Sequence, residues 1–221
     1  MTVVTPDIAD LFEEAFERAG LEMRTGYDLR TIRRSLNFLT LEWQNRGLNL
    51  FTIESGTQPL TAGTAEYTMP EDTIDLIEHQ LRTGTGTSQI DTALMRVSVS
   101  TYAQQTNKNT QGRPTQIYVS RGVGDVKATV WPVPNSDEYT LFFYRLKGIA
   151  GLESGASGNA AIPPRFVPAL VAGLAYQIAM KKPEALQRIL PLKELYEEQF
   201  NLAAGEDRER ASLHLTPARG Y

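Results

Sequence analysis

The chain has 221 residues, no cysteine, two histidines, and 26 acidic against 22 basic side chains, for a net charge of −4. That length can bury a sizeable core without covalent staples, and the lack of cysteine excludes disulfides, thiolate metal sites and a thiol nucleophile and fits synthesis in a reducing cytoplasm. Without a basic excess, tight binding of nucleic acid is not expected.

The opening MTVVTPDIADLFEE carries acid rather than base and does not read as a signal or transit peptide. Thr5 suits an N-cap and Pro6 a first helical position, and Ile8, Leu11, Phe12, Ala15, Phe16 and Ala19 recur at helical spacing before Gly20. After a turn containing Gly26, Asp28 is placed to cap a second helix with Leu29, Ile32, Leu36, Leu39 and Trp43 on one face and Gly47 as its stop. The two helices predict a helical hairpin over residues 1–47. Phe38 and Leu41 fall off the stripe, so the second helix is apolar on more than one side, and one of its neighbours could be another subunit. Arg30, Arg33 and Arg34 cluster at its start, where the helix dipole disfavours positive charge. They suit either an acidic partner surface or a plain solvated face.

From 48 to 147 the period shifts toward two, with Gly, Pro, Thr and Ser clusters between short β-branched and aromatic runs. Strands are expected over Leu50 to Glu54, Glu66 to Met69, Ile74 to Leu81, Ala93 to Val97, Thr115 to Arg121, Val126 to Trp131 and Tyr139 to Leu146, with a short helix at Ser98 to Gln105. Gly122 to Asp125, where glycine can supply positive φ, and Pro132 to Asp137 read as hairpin loops joining the last three strands into a meander. Lys147 to Ile162 is rich in Gly, Ala and Ser and reads as a flexible connector.

Helices resume over 148–204. The first follows Pro163 and Pro164, carries Val167, Leu170, Val171, Leu174 and Ile178, and ends at Pro183. The second, Glu184 to Ala204, carries Leu186, Ile189, Leu192, Leu195, Tyr196 and Phe200 and is expected to kink at Pro191. Residues 205–221 form a charged, then mixed tail that should be mobile without a partner. The longest apolar run, Val167 to Met180, is interrupted by Pro168 and Gly173 and falls short of the roughly 20 residues a membrane span needs, so no membrane association is expected. The fold class is α+β: N- and C-terminal helices packed as one bundle with an inserted antiparallel β region.

Residues suited to chemistry are scarce. His79 alternates with Leu76 and Leu81 in a predicted strand and His214 lies in the tail, an arrangement that holds no zinc. Gly84 with Gly86, and Gly122 with Gly124, lack the spacing of phosphate-binding loops and read as a loop and a turn. Glu13 with Glu14, Glu71 with Asp72, and Glu197 with Glu198 could in principle serve as acid and base on a glycan, but adjacent acids more often form a solvated face. Tyr118, Trp131, Tyr139, Phe142, Phe143 and Tyr144 could stack on single-stranded nucleic acid, yet alternating aromatics usually form sheet core, and Arg113, Arg121, Lys127 and Arg145 are interleaved with acids. No catalytic, cofactor-binding or metal-ligating residue is assigned. The chain reads as a structural subunit that holds other chains together.

Six segments in order, RRSLNFLTLEWQNRGLNLFTIE, EYTMPEDTIDLIEHQLR, GRPTQIYVSR, VWPVPNSDEYTLFFYRLK, IPPRFVPALVAGLAYQIAMKKPE, and LKELYEEQFNLAAGEDRERAS, resemble the head-to-tail adaptors of tailed bacteriophages, the group called tail tubular protein A or head-completion adaptor. The resemblance implies a virion protein at the head–tail junction, made in the bacterial host cytoplasm. It implies a homo-oligomeric ring, usually of twelve subunits, that docks under the portal protein, meets a distal tail or nozzle protein and continues the DNA channel without binding DNA specifically. A C-terminal extension from Asp207 to Tyr221 would then contact the portal through Arg208, Arg210, Leu213, Leu215, Arg219 and Tyr221, and Arg30, Arg33, Arg34, Phe38 and Leu41 would form the subunit interface. A virion-associated peptidoglycan hydrolase using the paired acids and a nucleic-acid-binding module using the β-region aromatics are the alternatives.

Overall fold

A computed structural model describes residues 7–24, 26–47, 52–148 and 162–207. Among these lie five α-helices, α1 (Ile8–Arg18), α2 (Gly26–Asn45), α3 (Val99–Ala103), α4 (Val167–Ala179) and α5 (Ile189–Glu206). The strands are β1 (Ile53–Pro59), β2 (Glu66–Thr68), β3 (Thr73–Thr83), β4 (Ile90–Ala93), β5 (Met95–Arg96), β6 (Gln111–Gly112), β7 (Gln116–Ser120), β8 (Lys127–Trp131), β9 (Val133–Pro134) and β10 (Thr140–Lys147). The fold is α+β, and the chain forms two compact units, one from residues 1–51 and 151–221 and one from residues 52–150.

In the helical unit, Asp7 and not Thr5 caps α1, its carboxylate accepting from the Ala9 amide at 3.3 Å and so satisfying one of the donors a helix start leaves open. Gly20 closes the helix with φ +76°. Its amide donates to the Glu17 carbonyl at 2.8 Å and that of Leu21 to Phe16 at 2.9 Å, a paired C-terminal cap that an L side chain would strain. Asp28 is likewise not a cap. α2 begins two residues earlier, at Gly26, and Asp28 lies buried in its first turn, 2.9 Å from the Lys182 ammonium.

α1 and α2 both pack chiefly on α4. α4 is buried almost all round, by Ala169, Leu170, Val171, Ala172, Gly173, Leu174, Ala175, Ile178 and Ala179, as a central helix must be. Val167, the first residue of its expected stripe, is only half-buried. Pro183–Arg188 forms a 3-10 turn, and α5 starts only at Ile189. Pro191 therefore lies in the first turn of α5, where its missing N–H has no intrahelical partner to lose, and it does not occupy the helix interior where a kink was expected. Leu186 is exposed for the same reason: it sits on the 3-10 turn and not on the stripe of Leu192, Tyr196 and Phe200 that α5 buries.

The β unit is built of two four-stranded sheets with strand orders β1-β10-β3-β4 and β2-β8-β7-β5, plus a two-stranded β6-β9 ladder. A single core cluster takes Leu76, Leu81, Leu141 and Phe143 from one sheet and Ile117, Val119, Ala128 and Val130 from the other, so the sheets pack face to face. Most pairings are antiparallel; β5 with β7 and β6 with β9 are parallel. β1 begins at Ile53, later in the chain than expected. β7 and β8 form the expected hairpin, although neither Gly122 nor Gly124 has a positive φ. The meander fails at Pro132. Pro132 and Pro134 lack the N–H groups an antiparallel ladder needs, the chain leaves the sheet through β9, and β10 joins the other sheet between β1 and β3.

A bulge in β3 explains how Leu76 and His79, three residues apart, are both buried: Leu76 pairs with Arg145 and Glu78 with Tyr144, leaving Ile77 as the extra residue.

Candidate interaction surface on the second helix

The cationic side chains of the β unit that the sequence singles out are tied up in structural pairs. The Arg145 guanidinium binds Glu54 at 2.7 Å and also Asp72, Arg121 binds Asp75 at 3.1 Å, Lys127 binds Glu66 at 2.7 Å, and Arg113 donates to Thr92 Oγ1 at 2.8 Å. Tyr139 and Phe143 are core, Tyr118 stacks on Tyr102 at 5.4 Å between ring centroids, Trp131 donates to the Asn107 carbonyl, and Arg82 covers the ring of Phe142, which meets Tyr144 edge-on. Among the described residues, no open stacking platform with free cations remains around these rings. His79 is buried and its pKa falls below the ordinary 6.5, first through burial and then through the Arg96 charge. His214 lies outside the described residues.

The paired acids do not converge. Glu14 binds Arg18, Asp72 binds Arg145, and Glu197 binds Arg46, each beside an exposed neighbour. The Arg46 guanidinium holds the Glu197 carboxyl below its usual range, the reverse of what a general acid requires. Gly84 and Gly86 take positive φ in a surface turn. Among the described residues, no group of three His, Cys, Asp or Glu could hold a metal ion, and no helix is long and apolar enough to cross a membrane.

The outer face of α2 differs in kind. Arg30, Arg33 and Arg34 are exposed and, among the described residues, none has a hydrogen bond or ion pair. Phe38 is 61% and Leu41 53% exposed, beyond the isolated apolar residue that a surface ordinarily carries. Helical spacing sets this out: Ile32, Leu36, Leu39 and Trp43 turn into the bundle, which leaves Tyr27, Arg30, Arg34, Phe38 and Leu41 on the opposite side. Arg208, Arg210, Leu213, Leu215, Arg219 and Tyr221 lie outside the described residues.

Beside Arg34 is a cleft of about 550 Å³ lined by Tyr27, Thr31, Arg34, Phe38, Lys181 and Lys182, adjoining another of about 590 Å³ lined by Tyr27, Arg30, Arg33 and Arg34. Lys182 is neutralised by Asp28, but among the described residues the Lys181 ammonium meets only the Ser35 hydroxyl, at 2.7 Å. Burial and then the Arg34 charge lower the Lys181 pKa, so an anion in the cleft would be welcome to both cations. Thr31 is 5% exposed and its hydroxyl has no partner among the described residues, a state that costs about 1–3 kcal/mol. Nothing in the sequence links Thr31 to Lys181. They meet only because α2 packs on the end of α4, and Lys181 by itself reads as a cation at a helix C-terminus.

Exposed charge and apolar area on one helix face suit contact with another protein. The chain belongs to the SU10 adaptor protein family, whose model matches residues 6–220; the family comprises head-to-tail adaptors of bacteriophages. Membership makes it a structural adaptor of the phage particle, one that interacts with other head and tail proteins and oligomerises. No curated protein matches the chain.

Proposed function

We propose that the chain is the repeating subunit of a ring, of twelve copies by the resemblance described above, that docks beneath the portal and continues the DNA channel toward a distal tail or nozzle protein. The observation that carries the ring is the unneutralised face of α2, where Arg30, Arg33 and Arg34 lie beside exposed Phe38 and Leu41. A basic and apolar face of this kind suits the heterologous contacts from which rings close. The net charge of −4 suits a channel wall that lets DNA pass without holding it.

The segment 208–221 is the portal-binding extension in this reading, with Arg208, Arg210, Leu213, Leu215, Arg219 and Tyr221 as contacts. The extension is cut after Asp207, because Asp207 is buried at the end of α5 and paired with Arg165. A chain ending at Asp207 should fold and lose attachment to purified portal in co-sedimentation. Retained attachment would place the portal contact elsewhere.

A further inference from the structure

We propose that the cleft of Thr31, Arg34 and Lys181 is a carboxylate site completed by a second copy of the chain, whose α5 ridge of Leu190, Glu194, Glu198 and Leu202 docks along the outer face of α2. The inference rests on the ring reading above and names the partner of its interface.

Among the described residues the receiving side is incomplete: its two cations have no carboxylate, and Thr31, which lines the cleft and is nine-tenths buried, has an unpartnered hydroxyl. A carboxylate entering there would pair with Arg34 and Lys181, and a rotation of the Thr31 side chain would let its hydroxyl donate to the same carboxylate. Such charge-assisted bonds are the strong ones. A hydroxyl and two cations without a counter-ion call for an anion rather than an apolar ligand.

The donor side is on the same chain. Glu194 and Glu198 are exposed on α5, and among the described residues neither has a hydrogen bond or ion pair. They lie one helical turn apart between Leu190, 71% exposed, and Leu202, 63% exposed. Residues four apart form a ridge that seats in the groove of a facing helix. α2 presents the complement: Arg30 and Arg34, also four apart, lie between Tyr27 and Phe38. At about 1.5 Å per residue the two patterns span roughly 18 Å and 16 Å, so acids can meet bases while leucines cover the aromatics. α1 also exposes unpaired acids, Asp10, Glu13 and Glu17. It lacks exposed large apolar side chains to cover Phe38 and Leu41, which favours α5. Because the two faces belong to different helices, each copy gives one and receives on the other, the head-to-tail contact that a ring requires.

Reciprocal charge reversal, read by sedimentation velocity and native mass spectrometry on the full chain, tests this pairing. Wild type is expected to assemble. Arg34→Glu alone and Glu194→Arg/Glu198→Arg alone should each weaken association at least tenfold, and mixing the two variants should restore it, since each then meets an opposite charge on its neighbour. Thr31→Val with Lys181→Ala should weaken assembly about tenfold without altering the circular dichroism spectrum. Arg30→Glu replaces Arg34→Glu if the latter fails to fold. Variants that assemble like wild type would overturn the pairing and leave the ring reading standing. Loss of assembly with Glu13→Arg/Glu17→Arg, but not with the α5 variant, would transfer the partner role to α1 and also overturn it. A wild-type chain that stays monomeric with and without portal would remove the ring reading and this inference together. Salt-sensitive binding of duplex DNA, lost in Arg34→Glu, would assign the face to nucleic acid instead.

Discussion

The indole of Trp43 donates through Nε1 to the Tyr196 hydroxyl at 2.9 Å, joining residues 153 positions apart in the buried centre of the helical unit. The phenol in turn donates to Glu42 at 3.1 Å, and Arg46 ties Glu42 to Glu197 while lying 4.7 Å above the ring of Phe200. Tyr196→Phe keeps the ring but strands the buried indole N–H. It should cost about 1–3 kcal/mol, read as a lower denaturant midpoint with an unchanged slope.

Gly173 on α4 packs directly against that centre. A Cβ there would lie 2.9 Å from both Leu39 methyls and from the Tyr196 ring. Gly173→Ala gains up to about 1 kcal/mol of helix propensity, yet crowding in a packed core costs about 1–3 kcal/mol. The expected outcome is a net loss of stability in chemical denaturation; a stabilised variant would show that Leu39 can move aside freely.

His79 gives the β unit a pH dependence of defined sign. Burial, then Arg96, lowers its pKa in the folded state from 6.5, so the unfolded chain binds the proton more readily. The stability is complete above the unfolded value and declines as the pH falls through about 6.5 toward the folded pKa. Denaturant titrations between pH 8 and about 5 should show this decline, and His79→Leu should flatten it.

Phe38 and Leu41 separate interface from core. Both are exposed in the single chain, so Phe38→Ser with Leu41→Ser should shift unfolding stability by no more than about 0.5 kcal/mol per site. The same variant should weaken self-association measured by sedimentation. A large loss of stability would mean instead that the two side chains are buried within the chain.

The stripes of α1, α2 and α5 and most strand positions were legible because periods of 3.6 and 2 follow from local backbone geometry. The helical spacing also put Phe38 and Leu41 off the buried stripe before any partner was considered. Caps depend less on periodicity. Thr5 and Asp7 are both good capping residues, and only the observed start of α1 distinguishes them.

By itself, then, the sequence determined the α+β class, the buried faces of the helices, and the cluster of Arg30, Arg33 and Arg34 beside Phe38 and Leu41. Tertiary structure alone decided that β10 joins β1 and β3, that Asp28 pairs with Lys182, and that Thr31, Arg34 and Lys181 share a cleft. The reason is range. Periodicity records which side of an element is covered, whereas a contact such as Ser35 with Lys181, 146 residues apart, depends on how whole elements pack.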